Sequence, residues 1–203
     1  MTDLNVKPSL RISHIVYGRV YEGNRVTYLI DPKGDGDSRA VPETVVLTRW
    51  RKRVFPGYTF SGARLSSTLW RAVVMAFGTN AKTICKLSKE ELASISEAKK
   101  EILSKNGFLK LPSSDVLHAI FTICLSDRLQ KILDWHLSDA HKDKSGVPDL
   151  FLFAKSTSSK NFIMGRFVEV KKPNEIVSIA QKEEIDFLNS IGLNARVLRL
   201  IER

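Results

Sequence analysis

Cysteine is scarce in this sequence: Cys85 and Cys124 are the only two, and neither sits in a spacing that binds zinc or runs thiol exchange. A disulfide framework, a zinc ribbon and a redox motif are thereby excluded. Both cysteines are expected as reduced core thiols of a cytoplasmic compartment, or a nuclear one if the source is eukaryotic. Long apolar runs are missing as well. None approaches the roughly 20 residues of a membrane-spanning helix, residues 1–11 lack the apolar core of a signal peptide, and no membrane partner is expected. Internal repeats, low-complexity tracts and a long Gly-, Pro- or Ser-rich linker are absent. His118, His136 and His141 lack a metal spacing and read as surface or capping residues. Acidic residues are outnumbered, 22 against 32 Lys and Arg, for a formal charge of +10. Such an excess favours a polyanion, because neutralising phosphates releases counterions, and nucleic acid is the first candidate.

What is present suffices for a globular unit with a full core: 203 residues, 43% of them hydrophobic. Periodicity predicts an α/β chain, with an N-terminal α+β part at 1–106 and a second part at 107–203 that reads as helix, β-hairpin, helix and strand. Runs 14–21 and 25–30 alternate in strand fashion about Glu22-Gly23-Asn24 and predict a hairpin. The DPKGDGDS stretch at 31–38 fails the calcium-loop spacing and predicts an exposed turn. Residues 44–55, TVVLTRWRKRVF, begin as a strand and gather Arg49, Arg51, Lys52 and Arg53 about Trp50. That grouping either grips phosphates and stacks on a base, or forms a basic edge strand that resists pairing. Leu69, Val73 and Phe77 recur at helical spacing before Gly78. Ser88-x-x-Glu91 is a capping box for a helix running to Gly107. Ser113 or Ser114 then starts an apolar helical region to about Leu137, with a break near Ser126-Asp127.

The chemistry concentrates in 146–181. Two strand-like runs, 150–154 (LFLFA) and 166–172 (RFVEVKK), flank the turn-rich 155–165 and predict a β-hairpin. Alternation puts Glu169 and Lys171 on one face, Val168 and Val170 on the other. With Ala154 paired near Arg166, Asp149 falls opposite Lys171 and diagonal to Glu169. Two carboxylates suit Mg²⁺ or Mn²⁺ and leave positions for water and a phosphate oxygen. A neighbouring ammonium orients that water or stabilises the charge that develops. Asp149 and Glu169 are therefore the expected metal ligands, with Lys171 acting on the water. Pro173 ends the strand. Ser178-x-x-Gln181 opens a helix carrying Ile185, Leu188 and Ile191 on one face and stopping at Gly192, and a strand follows at 194–201. Gln181 is either the reciprocal cap or a polar group aimed at the site.

The order GVPDL, a spacer, VEVKKPNE, S-x-x-Q and a helix ending in Ile-Gly resembles the VRR-NUC domain of the PD-(D/E)xK nuclease superfamily. It is especially similar to the version at the C-terminus of Fanconi-associated nucleases. The likeness runs from about 135 to 200 and includes the WHLSD run before the GVPD turn. It implies a restriction-endonuclease-like core with Asp149, Glu169 and Lys171 catalytic, the Val170 carbonyl as a metal ligand and Gln181 as an accessory residue. The family usually carries a further glutamate on the helix that opens its core, and Glu91, Glu97 and Glu101 are the candidates here. The implied activity is a metal-dependent DNA endonuclease for flap, fork or junction DNA in repair, recombination or virus-type replication, with homodimers among compact members. Lys172 joins 49–53 as an expected DNA contact. A defence or restriction nuclease would use the same site. A noncatalytic nucleic-acid-binding module on this fold and an RNA-processing nuclease are the competing readings.

Overall fold

The LFLFA run builds both faces of the central sheet. The computed structural model describes residues 12–17, 19–22, 25–29, 39–107, 109–141 and 146–202. Its elements are β1 (Ile12–Tyr17), β2 (Arg19–Glu22), β3 (Arg25–Leu29), β4 (Arg39–Ala40), α1 (Pro42–Arg51), β5 (Tyr58–Arg64), α2 (Leu69–Phe77), α3 (Ala81–Ile84), α4 (Lys89–Lys105), α5 (Ser114–Leu137), β6 (Leu150–Ser156), β7 (Phe162–Lys171), α6 (Ile179–Ser190) and β8 (Ala195–Glu202). Five strands form one sheet in the order β1-β8-β7-β6-β5, and β2-β3-β4 form a small second sheet. The pairs β1–β8 and β7–β8 are parallel, while β5–β6 and β6–β7 are antiparallel.

Alternation then sorts the core. Leu150, Leu152, Val168, Val170, Leu198 and Leu200 meet Val45, Val46 and Trp50 of α1 and Tyr28 of β3 on one face. Phe151, Phe153, Phe167, Ala195 and Val197 meet Trp70, Ile120, Leu133, Ile185 and Leu188 on the other. Each such side chain contributes about 1.5–3 kcal/mol by leaving water. The expected helix, hairpin, helix and strand are α5, β6–β7, α6 and β8, with β1 and β5 completing the sheet at its edges. Packing here is close. A Cβ on Gly165 would stand 2.6 Å from Ile123 Cδ1 and 2.9 Å from Phe151 Cζ. Gly165→Ala is expected to destabilise by about 1–3 kcal/mol, read as a lower urea midpoint at unchanged slope.

Several local expectations hold. Gly78 closes α2 at φ 82°, Ser88 and Glu91 form a complete capping box, and Cys124 is buried. The long helix does break, but at Leu125 (φ 61°). Others are corrected. Residues 44–55 do not begin as a strand: Pro42 opens helix α1, which turns Val45, Val46 and Trp50 inward. The N-terminal hairpin is shorter, pairing Arg19–Glu22 with Arg25–Tyr28, because Ile12–Tyr17 joins β8 instead. The turn of the β6–β7 hairpin is shorter than 155–165, since β7 already begins at Phe162. Ala154 therefore pairs with Met164 and Leu150 with Val168, a two-residue shift that leaves Glu169 and Lys171 together on the face opposite Val168 and Val170. The 31–38 turn lies outside the described residues. Among the described residues no helix is long and apolar enough to cross a membrane.

Candidate active site

β6 begins at Leu150 opposite Val168, so β7 runs on beyond its neighbour. The Val170 N–H, which has no β6 residue to pair with, donates to Asp149 Oδ2 at 2.8 Å. The Asp149 carbonyl accepts from Leu65 N–H at 2.8 Å, so backbone and side chain are both held. By register Asp149 precedes the Leu150–Val168 pair and faces Glu169, not Lys171 as the longer turn would have it.

Glu169 is 2% exposed and Lys171 4%. Lys171 Nζ lies 3.1 Å from Glu169 Oε1 and 3.4 Å from Glu175 Oε1. Gln181 resolves its two alternatives by serving both. Its Oε1 accepts from Ser178 N–H at 2.9 Å, completing the capping box, while its Nε2 donates to Glu169 Oε1. The primary amide has an acceptor at one end and donors at the other, so one side chain fixes the helix start and the Glu169 rotamer together.

The strand exit is equally fixed. Glu175 Oε2 accepts from Lys172 N–H at 3.0 Å, and Arg199 Nη1 donates to the Glu175 carbonyl at 2.8 Å. Asn174 takes a left-handed turn at φ 61°. Glu175 is a partner that reading Glu-x-Lys alone does not disclose, although it falls four residues after Lys171 in the same motif.

Burial, and then the Asp149 carboxylate beside it, push Glu169 up to about 7 against the pull of Lys171. Burial likewise raises Asp149, with Glu43 adding to the effect, while the Val170 N–H and Lys171 oppose it. For Lys171 burial acts downward, but the Glu169 and Glu175 carboxylates outweigh it and the net shift is upward. Two carboxylates thus meet in a place short of positive charge, beside an ammonium that stays protonated.

Glu43, in the first turn of α1, is the acidic neighbour that the sequence reading passed over. It also lies 3.5 Å from Arg64. Its signal was Pro-Glu at a helix start, hidden by taking the stretch as a strand. The three candidates on α4 are engaged elsewhere: Glu91 caps its own helix, Glu97 pairs with Lys100 and Glu101 with Lys105. Of the expected DNA contacts, Arg49, Arg51, Lys52, Arg53 and Lys172 are exposed. Trp50 is 6% exposed, with its indole N–H donating to the carbonyls of Ser61 and Phe153. It is a core platform under the cations and presents no open ring for a base.

Comparison with curated proteins gives no match. Two crystal structures of paFAN1 bound to 5′-flap DNA with a gap, one with a 2-nucleotide flap and one with 1, share this fold at TM-score 0.53, with 13% and 15% sequence identity. The likeness covers 97% of this chain and 38% of that protein, so the chain spans well under half the length of paFAN1. Residues 88–200 match the VRR-NUC domain, more than half of the chain and with the whole Asp149 to Gln181 constellation inside the match. The chain belongs to the VRR-NUC domain family of nucleases.

Proposed function

We propose that the chain is a divalent-metal-dependent DNA endonuclease that selects flapped or otherwise branched DNA, with Asp149, Glu169 and Lys171 carrying the reaction. The observation that carries this reading is the meeting of a buried carboxylate, Glu169, with a half-buried one, Asp149, both shifted toward holding their protons, next to one charged lysine. Carboxylates raised in this way gain when a cation replaces the proton. Among the described residues no group of three or more His, Cys, Asp or Glu forms a metal cage. Two carboxylates nevertheless fit Mg²⁺ or Mn²⁺, which keep several of their own waters. Asp149 and Glu169 would hold the ion, and Glu43 adds negative charge nearby. In an antiparallel ladder the N–H and C=O of one residue face the same neighbour, so the Val170 carbonyl lies on the side beyond β6 and would be the third protein donor. When bound, the ion supplies Lewis acidity toward a phosphate oxygen and acidifies a coordinated water.

Lys171 acts as a donor. Its raised pKa keeps the ammonium charged, so it orients the attacking oxygen and stabilises charge developing on phosphorus, and it does not accept a proton. Gln181 keeps Glu169 in its working rotamer. The 107–203 part supplies cleavage, and the 1–106 part, through Arg49, Arg51, Lys52 and Arg53, supplies phosphate contacts that Lys172 of the cleavage part joins. The flap DNA bound by paFAN1 supports the choice of substrate.

The test is cleavage of labelled single-stranded, duplex, 5′-flap, fork and four-way-junction DNA in Mg²⁺, Mn²⁺ or EDTA. Cutting is expected only with the cation and fastest on flap or fork DNA. Tight binding with no cutting of any substrate would leave a noncatalytic module, and equal cutting of matched RNA would move the reading to RNA processing. The pH dependence follows from Glu169. Cation binding requires the ionised form, so the Mg²⁺ concentration for half-maximal rate should fall about tenfold from pH 6 to pH 8 as the group near pH 7 titrates. A flat metal requirement over that interval would contradict the assignment of Glu169 as ligand.

A further inference from the structure

Trp50 offers no ring to a base, but the turn that follows α1 offers two. Val54 is 95% exposed and Phe55 60%, and Tyr58 opens β5 with its ring also at the surface. The Phe55 and Tyr58 rings lie 5.5 Å apart at 41°, so they form one patch and not two scattered residues. The backbone beneath them is fixed. Tyr58 N–H donates to the Phe55 carbonyl at 3.1 Å across Pro56-Gly57, and Gly57 takes φ 82°. In such a turn proline presets the first corner and glycine takes the second without strain. Thr157 N–H donates to the Gly57 carbonyl at 2.9 Å and ties the turn to the β6–β7 hairpin. Trp50, its indole N–H bonded to Ser61 and Phe153, anchors the end of α1 on the other side.

A single exposed apolar residue needs no explanation, but a rigid aromatic pair held in water beside Val54 contributes little to the fold and marks a contact surface. Its surroundings select the partner. Lys52 and Arg53 precede the patch, Lys160 stands in the hairpin turn tied to Gly57, and all three are exposed. A ligand for this surface carries an apolar face and negative charge together, as a nucleotide does, with the base for the rings and the phosphate for the cations. The base must be unpaired, because a duplex hides base faces in its stack. Position agrees with this choice. β5 runs from Tyr58 to Arg64, and Arg64 pairs with Leu150, next to Asp149. At about 3.4 Å per residue the patch lies about 20 Å from the catalytic end of the strand. Between the two, a groove of about 360 Å³ follows β5 from Thr59 to Ala63, lined also by Arg51 and Lys155. Asp115 lines it too, paired with Lys89 at 2.9 Å and 4.0 Å from Lys155.

We propose that Phe55 and Tyr58 form a stacking site for an unpaired nucleobase, which holds the single-stranded arm of a branched substrate about 20 Å from the catalytic carboxylates. The site rests on the reading of the chain as a DNA-binding protein and deepens it. Cations grip phosphates, which duplex and single strand share, whereas exposed rings distinguish the unpaired arm. A rigid turn favours this role, because rings already held in place lose little freedom when a base settles on them.

The experiment compares wild type, Phe55→Ala and Phe55→Trp in EDTA. Anisotropy follows binding of labelled thymidine strands of about 15 nucleotides, of abasic strands of the same length, and of blunt duplex. Wild type should bind the thymidine strand about tenfold more tightly than the abasic one, and Phe55→Ala should lose that difference. Its salt slope and duplex affinity should stay at the wild-type values, since no charge has been removed. Phe55→Trp should keep the wild-type affinity, with the emission of the introduced indole quenched by the thymidine strand and not by the abasic one. A Phe55→Ala protein that separates the two strands as wild type does, with no quenching in Phe55→Trp, would refute the site. So would an effect confined to self-association, seen as altered sedimentation with strand binding unchanged, because the patch would then be a contact between two copies. None of these readouts needs cutting. Stacking without cleavage would leave the site standing and remove the endonuclease reading, while flap cleavage by a wild type that ignores the bases would do the reverse.

Discussion

Lys171→Ala is expected to lower the rate of metal-dependent cleavage by about 10²–10³-fold at saturating cation, while DNA affinity stays within a few-fold of wild type. Lys171 is 4% exposed and bridges Glu169 and Glu175, so its ammonium has one geometry and few alternatives. Its loss removes a donor that matters most when charge develops on phosphorus, which places the defect in kcat and not in KM. A second effect accompanies it. The ammonium is one of the groups holding Glu169 down, so without it Glu169 keeps its proton to higher pH. The variant's residual activity should therefore peak at higher pH than that of wild type. Lys171→Arg should restore little, because a planar fork does not reproduce a point donor between two carboxylates. Single-turnover kinetics on a 5′-flap substrate check all three expectations, and a variant retaining a third of the wild-type rate would remove Lys171 from the reaction.

Glu169→Gln should have effects of opposite sign: cleavage reduced at least about 10³-fold, yet a more stable fold at pH 8 in EDTA. The folded protein holds the Glu169 proton up to about pH 7, whereas an ordinary glutamate releases it at 4.5. Between those values the unfolded chain has lost a proton that the folded chain keeps, so stability falls as pH rises, and above pH 7 the full cost is present. Glutamine has no charge to bury and still accepts from Gln181. The expected gain is about 1–3 kcal/mol at pH 8, vanishing below about pH 4.5, where Glu169 is protonated in both states. Thermal unfolding of both proteins at the two pH values measures it. Equal destabilisation at both would mean that Glu169 is a structural ion-pair partner and not a site held in tension for a cation.

How much of this was legible in the sequence depends on the range of the forces involved. LFLFA was legible as a strand because a short apolar run bounded by turn residues is a local signal. Ser88-Glu91, Ser178-Gln181 and Gly78 were readable because a cap is satisfied within one turn. The Glu-x-Lys pair kept its face even though the register moved by two residues, since an even shift preserves parity. Turn length was not readable: β7 extends back to Phe162 only because Phe162 and Met164 pair with Lys155 and Ala154 of a β6 that itself runs to Ser156. The helix at Pro42 was obscured by Thr44-Val45-Val46, whose β-branched side chains favour strands until the sheet offers them a face to cover. The pairing of β1 with β8 joins opposite ends of the chain and leaves no local trace. Glu43 belongs to the same class, placed near Asp149 by the packing of α1 on the sheet. Glu175 is intermediate, named by the motif but revealed as the second carboxylate of Lys171 only by the folded strand exit.

The central claim is that Asp149 and Glu169 form a cation site. Titration of the full chain with Mn²⁺ at pH 8, with free ion followed by electron paramagnetic resonance, tests it most directly. Wild type and Lys171→Ala should each bind Mn²⁺, while Asp149→Asn and Glu169→Gln should lose that binding or weaken it by at least about tenfold. Equal binding by all four proteins, or none by wild type, would contradict the account.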